Sequence, residues 1–476
     1  MTLSRSWTGG DGRGRLEIAA PWDGAPIEEV AAATAADADA ALGDAVRLFR
    51  DRDARLPLHR RIEILDRAAR IMEGRIEELA REAAREGGKP LRDSRVEAVR
   101  AIDGVRICAE TLRTQAGREV PMGLTPSSGN RLAFTHREPV GPVVAVSAFN
   151  HPLNLIVHQV APAVAVGCPV IVKPAEDTPL SCLRFVSILR EAGLPEAWCR
   201  PVVTADHAVA QALVTDPRVA FFSFIGSPAV GWMLRSKLAP GARCSLEHGG
   251  VAPVHVAADA DLDDAVPLLA KGGFYHAGQV CVSVQRVFAD RRIAAEVAER
   301  LANAASAMRV GDPLLETSDV GPLIRSRETG RIEEWVREAV AAGARVAGGG
   351  RRIGASCFEP TVLCDPPDSA RVSRLEVFGP VVCVYAVDSI DEAVARANSL
   401  PYAFQAAVFT RDLGTALRAW RRFDASTVLV NDHTAFRTDW MPFAGLRQSG
   451  HGVGGIPATM LDLQFEKMLV VRSREI

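Results

Sequence analysis

Apolar residues recur in the first part of the chain at alternating three- and four-residue steps: Ile62, Leu65, Ala69, Met72, Ile76 and Leu79. That period predicts an amphipathic helix, set in a stretch rich in Ala, Arg and Glu from 35 to 117 whose charged face meets solvent. Gly87, Gly88 and Pro90 supply the left-handed stop and the break that follows it. From residue 140 the pattern changes to short continuous apolar runs, 143–149, 170–173, 201–203 and 219–224, with helical patterns between them. Uninterrupted apolar strands are buried on both faces, and their alternation with helices predicts a parallel sheet covered by helices. A second region of mixed strands and helices runs from about 249 to 439 and reads as a separate domain. The strand-like segments 132–138 and 463–471 belong to neither region, so they are expected to pair with each other or with a neighbouring subunit.

Length and charge narrow the classes. A chain of 476 residues calls for two or three domains around a cleft. With 56 Lys and Arg against 58 Asp and Glu, a net charge of −2 offers no global pull toward nucleic acid or anionic lipid. The opening residues 1–20 mix Arg5, Asp11, Arg13 and Arg15 with glycines and lack the apolar core of a secretory signal. The most apolar stretch, 140–172, is interrupted by Pro142, Asn150, His151, Pro152, His158 and Pro162, which excludes an unbroken membrane-spanning run there. Nine scattered cysteines, an odd number without a CxxC pair, argue against a disulfide framework and a zinc site, and for reduced thiols in the cytoplasm. No metal is expected.

Several residues stand where chemistry could be done. Cys281, in Gly278-Gln279-Val280-Cys281, has small neighbours that let backbone approach a ligand; its thiolate would attack a carbonyl carbon. The resulting oxyanion needs donors. Asn150 lies at the carboxyl end of a predicted strand, where α/β sheets bind ligands, and its amide offers one donor, with the Cys281 backbone N–H as the other. Glu247, in Leu246-Glu247-His248-Gly249-Gly250, has the chemistry of a general base for water. There is no GxGxxG; instead Phe224-Ile225-Gly226-Ser227-Pro228 runs from a strand through a glycine turn into a helix, so that Gly226 and Ser227 could hold a phosphate. Lys173 and Glu176 offer hydrogen bonds to ribose hydroxyls. Each has a plainer reading in isolation: core packing for Cys281, a helix cap for Asn150, an ion-paired carboxylate for Glu247, an ordinary turn for Gly226, surface charge for Lys173 and Glu176.

Taken in order, these stretches resemble the aldehyde dehydrogenase superfamily from about Pro21 to Val470. Further landmarks are Arg137-Glu138-Pro139-Val140-Gly141, Phe149-Asn150-His151-Pro152, Glu376-Val377-Phe378-Gly379-Pro380 and residues 442–450. The resemblance implies a Rossmann-like parallel-sheet coenzyme domain (1–117 and 139–248), an α/β catalytic domain (249–457) and a small β oligomerisation arm (118–138 and 458–476). It implies Cys281 as nucleophile, Asn150 as oxyanion donor and Glu247 as base, with Lys173 and Glu176 on the adenosine ribose, Gly226 and Ser227 at a phosphate, and Phe149, Glu376 and Phe378 at the nicotinamide end. The reaction implied is oxidation of an aldehyde to its acid through a thiohemiacetal and a thioester on Cys281. Because Glu176 would repel a 2′-phosphate, NAD is expected ahead of NADP. Departures from the family pattern are His248, Val251, Pro228, Ala444 and Val453-Gly454-Gly455. None removes a catalytic atom.

The versions of these motifs look closest to a branch acting on small polar aldehydes, phosphonoacetaldehyde dehydrogenases above all. His151, Asn154 and His158 fall on one helical face that the resemblance turns toward the substrate, and Arg437 would add charge for an anionic group; the alternative for Arg437 is a structural pair with Asp439. The expected substrate is phosphonoacetaldehyde, then lactaldehyde, sulfoacetaldehyde and succinic semialdehyde, in a homodimer or homotetramer. Two other readings stay open: a catalytically silent protein on the same scaffold, and a Cys–His hydrolase using His276 or His248.

Overall fold

The computed structural model describes residues 14–476, so the reading of the first thirteen residues lies outside it. Two sheets dominate. The first has six strands in the order Gly450–His451, Arg243–Glu247, Phe221–Ile225, Val143–Val146, Val170–Lys173 and Cys199–Pro201, parallel except for the Gly450–His451 edge. Alternate residues divide between two cores: Val143, Ala145, Val170, Val172 and Phe221 pack with helices Leu58–Glu73, Leu91–Thr114 and Asn154–Val166, whereas Val144, Ile171, Phe222 and Phe224 pack with helix Ala35–Arg50. Both faces are therefore dry, which is why the runs are continuously apolar. The expected strand at 201–203 sits earlier, at Cys199–Pro201; Pro201 has no N–H, and pairing beyond it continues only through Val202 N–H to the Val172 carbonyl at 2.8 Å.

The helix expected through Ile62 to Leu79 is two helices, Leu58–Glu73 and Ile76–Gly87. Gly74 turns its N–H back to the Arg70 and Met72 carbonyls, and Arg75 leaves helical geometry at φ −128°, ψ 20°. Glycine is a poor helix residue, so the break falls there although the apolar period runs through it. The predicted stop is real: Gly88 closes the second helix at φ 73°.

The second sheet has seven strands, Arg345–Gly348, Thr361–Cys364, Val381–Val387, Val284–Asp290, Ala252–Val256, Gln405–Phe409 and Thr427–Val430, parallel apart from the Arg345–Gly348 edge. Its core is one cluster that includes Val254, Val287, Phe288, Val384 and Val408. The segments left over from both regions pair with each other, Arg131–Pro139 against Gln464–Arg472, antiparallel over nine residue pairs from Arg131↔Arg472 to Pro139↔Gln464. This ribbon exposes Leu132, Phe134, Met468, Leu469 and Val470.

Candidate active site

Four adjacent strands of the six-stranded sheet end at one edge, and each carries a candidate near its last rung. Glu247 ends Arg243–Glu247, Gly226 follows Phe221–Ile225, Asn150 follows Val143–Val146, and Lys173 ends Val170–Lys173. The chain leaves Val143–Val146 on one side and returns at Phe221–Ile225 on the other. Open α/β sheets bind ligands at such a reversal of strand order, past the carboxyl ends. The facing wall comes from the seven-stranded sheet, with Cys281 ahead of Val284–Asp290 and Glu376 and Phe378 ahead of Val381–Val387. All the catalytic and coenzyme candidates line one cleft of about 470 Å³, with His151, Asn154 and Arg437, a size within the usual range for small-molecule sites. His158 does not line it; it lies buried behind the wall.

The loop carrying Cys281 is locally strained. His276, Ala277 and Gly278 have φ of 50°, 53° and 70°, and a left-handed non-glycine residue costs about 1–2 kcal/mol. Gln279 compensates with a full set of bonds: its amide donates to the carbonyls of His276 (3.3 Å) and Pro322 (3.2 Å) and accepts from Ile324 N–H (3.0 Å). A Cβ at Gly278 would overlap the Gly379 carbonyl, so glycine is what lets this loop close against the Phe378 turn. Asn150 Nδ2 donates to the Gln279 carbonyl at 2.9 Å. A carboxamide has two N–H donors, and the second makes no hydrogen bond among the described residues. Asn150 thus ties the two walls together while keeping a donor for the cleft.

Burial governs the titrating groups. It pushes the Cys281 thiol well above its ordinary range, the Glu247 charge pushes the same way, and Arg437 opposes both. Glu247 is itself raised by burial, with Arg437 pulling it back down. A proton-holding thiol thus faces a carboxyl group able to take up a proton, the relation a nucleophile and base require. Burial also lifts Glu376 to about 8; it accepts from Gly250 N–H at 3.2 Å, and a Cβ at Gly249 would strike its carboxylate.

The coenzyme end has unfilled hydrogen-bonding capacity. Lys173 is depressed by burial and, among the described residues, its ammonium donates only to the Pro174 carbonyl, at 3.1 Å. Ser147 Oγ lines the cleft, buried and without a partner among the described residues. Helix Pro228–Arg235 begins with no side-chain cap, leaving its first N–H groups for an acceptor. The rings of Phe149 and Phe378 meet edge to face at 5.8 Å across the cleft. Sugar hydroxyls, a pyrophosphate and a flat ring would complete these groups, so the residues fit a nicotinamide dinucleotide.

On the substrate side the structure corrects one alternative: Arg437 does not pair with Asp439. Asp439 accepts from Arg100 (2.8 and 3.1 Å), Asn154 Nδ2 (3.1 Å) and His158 Nε2 (2.7 Å). Burial pushes that carboxyl up, but His158 and Arg100 hold it well below its ordinary range. Arg437 reaches Glu247 Oε1 at 3.4 Å and His158 Nδ1 at 3.3 Å, and its Nε has no partner. Its guanidinium is 9% exposed and lies 3.6 Å over the Phe443 ring. A buried cation with two long bonds and an orphan N–H is under-satisfied. His158, held neutral with a pKa near 4 by burial and Arg437, donates to Asp439 and accepts from Arg437.

Sequence reasoning missed Gln279, Arg100 and Arg325. Arg100 sits one residue from Ala101 and three from the buried Glu97 on helix Leu91–Thr114, so charge on a core-facing stripe was the available signal. Arg325 bonds Glu176 and Asp177 across the cleft, which no local pattern announces. The thiol–imidazole arrangement of the hydrolase reading is missing among the described residues: His248 Nδ1 bonds the Gly226 carbonyl at 3.2 Å, neither nitrogen of His276 has a partner, and no histidine hydrogen-bonds Cys281.

Residues 7–468 match the model of the aldehyde dehydrogenase family. The 3-sulfolactaldehyde dehydrogenase of Priestia aryabhattai is 38% identical over 458 residues, 96% of this chain and 95% of that protein. Among solved structures, aldehyde dehydrogenase 21 from Physcomitrella patens, in complex with the reaction product succinate, superposes with a TM-score of 0.93 at 35% identity, covering 98% of this chain and 96% of that one. Glyceraldehyde-3-phosphate dehydrogenase GapN from Methanocaldococcus jannaschii, complexed with NADP, gives 0.92 at 33% identity, covering 98% and 100%. The chain belongs to the aldehyde dehydrogenase family and is an NAD(P)-dependent enzyme that oxidises an aldehyde.

Proposed function

We propose that this enzyme oxidises a small anionic aldehyde, phosphonoacetaldehyde first, to its carboxylic acid. The observation that carries this reading is Arg437: a buried, under-bonded guanidinium beside Glu247 on the wall of the cleft. Such a group costs stability unless a ligand anion satisfies it. Arg100 adds a second guanidinium to the lining. The relatives support an anionic substrate too: they include a 3-sulfolactaldehyde dehydrogenase, an aldehyde dehydrogenase with succinate as its reaction product and a glyceraldehyde-3-phosphate dehydrogenase.

The chemistry follows from the groups at hand. The Cys281 thiol gives up its proton to Glu247, directly or through water, and the sulfur bonds to the aldehyde carbon. The oxygen of that thiohemiacetal takes the spare Asn150 N–H and the Cys281 backbone N–H. A nicotinamide dinucleotide in the cleft would supply the hydride acceptor, and loss of hydride from the thiohemiacetal carbon would leave a thioester on Cys281. Glu247 passes the thiol's proton on to solvent and, a carboxylate again, draws a proton from water as the water attacks the thioester. The C–S bond breaks and the departing sulfur takes that proton, which releases the acid and restores the thiol. Lys173 and Glu176 hold the adenosine ribose, Gly226 and Ser227 the pyrophosphate, Glu376 the nicotinamide ribose, with Phe149 and Phe378 flanking the ring. NAD is the preferred coenzyme on the strength of Glu176.

In the same reading the chain has coenzyme, catalytic and arm domains as divided above. The apolar ribbon of Arg131–Pro139 and Gln464–Arg472 supports a homodimer or homotetramer, and nine free cysteines favour the cytoplasm. The test is a substrate panel read by NADH absorbance: phosphonoacetaldehyde, 3-sulfolactaldehyde, succinic semialdehyde, sulfoacetaldehyde and lactaldehyde against long alkyl and aromatic aldehydes. Anionic members should lead in kcat/KM, and Arg437→Gln should raise KM for them by roughly tenfold or more and leave neutral aldehydes little changed. A lead for the greasy aldehydes sinks the proposal.

A further inference from the structure

Glu176 does not stand free at the cleft. Its Oε1 accepts from Arg325 Nη2 at 2.6 Å, and the same guanidinium forks onto Asp177, Nε to Oδ1 at 2.9 Å and Nη2 to Oδ2 at 2.6 Å. Both carboxylates follow a strand of the six-stranded sheet, whereas Arg325 comes from the opposite wall, nearly 150 residues away (149 to Glu176), so this pair spans the cleft mouth. Its position is fixed by more than the ion pair. The preceding residue, Ile324, donates its N–H to Gln279 Oε1 at 3.0 Å, and Gln279 belongs to the loop that carries Cys281. Arg325 Nη1 makes no hydrogen bond within the described residues, and Lys173 Nζ uses one of its three donors.

The local charge is then balanced: two cations, Lys173 and Arg325, against two carboxylates, Glu176 and Asp177. A bare carboxylate at the ribose would exclude a 2′-phosphate by repulsion. A carboxylate held by a guanidinium with a donor to spare repels far less, and that spare donor is the kind of group that binds phosphate. The partners are about a quarter to a third exposed (Arg325 32%, Glu176 28%, Asp177 24%), so solvent screening limits the effect to a modest ratio.

We infer that Arg325 sets the coenzyme selectivity of this enzyme: by neutralising Glu176 it narrows the preference for NAD and admits NADP to the same site. The inference rests on the proposal that Lys173 and Glu176 hold the adenosine ribose. Equilibrium titration calorimetry of the whole chain with NAD and, separately, NADP tests it without turnover. Arg325→Gln should raise the ratio Kd(NADP)/Kd(NAD) about tenfold, and Arg325→Lys, which keeps the charge and loses the fork, should raise it less. In a Glu176→Gln background the effect of Arg325→Gln on that ratio should shrink, because the carboxylate it offsets is gone. Far-ultraviolet circular dichroism and the melting temperature verify that each variant is folded; if Arg325→Gln is not, the Lys variant and the Glu176→Gln chain carry the comparison. A ratio that stays put, or falls toward NADP, in a folded Arg325 variant overturns the role of Arg325. Failure of wild type to bind either dinucleotide, or a Glu176→Gln chain with an unaltered ratio, overturns the ribose assignment itself.

Discussion

The two sheets contribute to the cleft from opposite ends. The six-stranded sheet presents its carboxyl ends, and Glu247, Gly226, Asn150 and Lys173 stand in a row because their strands are neighbours in that order. The seven-stranded sheet presents its amino ends: Cys281 precedes Val284–Asp290 and Glu376 precedes Val381–Val387. Regular strand geometry suffices to place the first set. The second set rides on irregular backbone, with left-handed residues at His276, Ala277, Gly278 and Phe378, and needs separate anchoring. Two buried glutamines supply it. Gln279 pins the Cys281 loop as described, and Gln285 pins the Glu376 loop, donating to the Val372 and Leu375 carbonyls at 2.8 Å each and accepting from Val377 N–H at 3.0 Å. The difference teaches that one wall is held by its ladder and the other by side-chain amides.

The largest break in that comparison is chemical. Cys281→Ala should lower aldehyde oxidation by roughly 10⁴-fold or more, since nothing else in the cleft can form the thioester. NAD should still bind, because the groups assigned to its adenosine ribose and phosphates lie on the other sheet; loss of binding by calorimetry would tie the two walls more closely than the geometry does. Next comes Asn150→Ala. It removes an oxyanion donor, an effect of about 10²–10³ in kcat, and it also cuts the 2.9 Å bond to the Gln279 carbonyl. A change confined to KM would show that Asn150 only braces the loop.

Gln285→Leu tests the anchoring itself. The substitution leaves the Leu375 carbonyl and the Val377 N–H without hydrogen-bond partners among the described residues, and the Val372 carbonyl with only the weak Cys383 thiol at 3.9 Å, at about 1–3 kcal/mol for each buried group left unsatisfied. The melting temperature should fall, and KM for coenzyme should rise roughly tenfold as Glu376 loses its seat. A matching change on the ladder wall, Val144→Ala, costs roughly 1.5–3 kcal/mol of core packing and should leave KM for coenzyme alone. Equal effects on KM from both would erase the distinction between the walls.

What could be read from the sequence follows the same division. Periodic features were legible: all four expected strands of the six-stranded sheet begin at or within two residues of the observed ones, because continuous burial writes itself into continuous Val, Ile and Phe. The candidate residues at the ends of those strands could be placed by the rule for parallel sheets. The glycine break at Gly74 was hidden by an apolar period that runs across it. Arg325 and Arg100 were invisible for another reason: their partners, Glu176 and Asp439, lie 149 and 339 residues away, and long-range ion pairs leave no local spacing. The supposed Arg437–Asp439 pair failed on the same ground, since nearness in sequence stood in for nearness in space.

Arg437 gives the smallest and sharpest test, because it comes from the seven-stranded side and acts on Glu247, the base proposed for the other wall. Burial raises Glu247 and Arg437 lowers it, so removing the guanidinium leaves burial unopposed and the carboxyl holds its proton to higher pH. A base works only when deprotonated, so the acid limb of the kcat profile should move upward in Arg437→Gln. With a neutral aldehyde at saturation, which removes any effect on substrate anion binding, the variant should lose roughly three- to tenfold at about pH 6 and little at about pH 9. A limb that stays where it was would mean that Glu247 is not the titrating base, or that the 3.4 Å contact to Arg437 does not persist during turnover. A limb that moves downward would reverse the sign of the coupling and require Arg437 to favour the protonated acid.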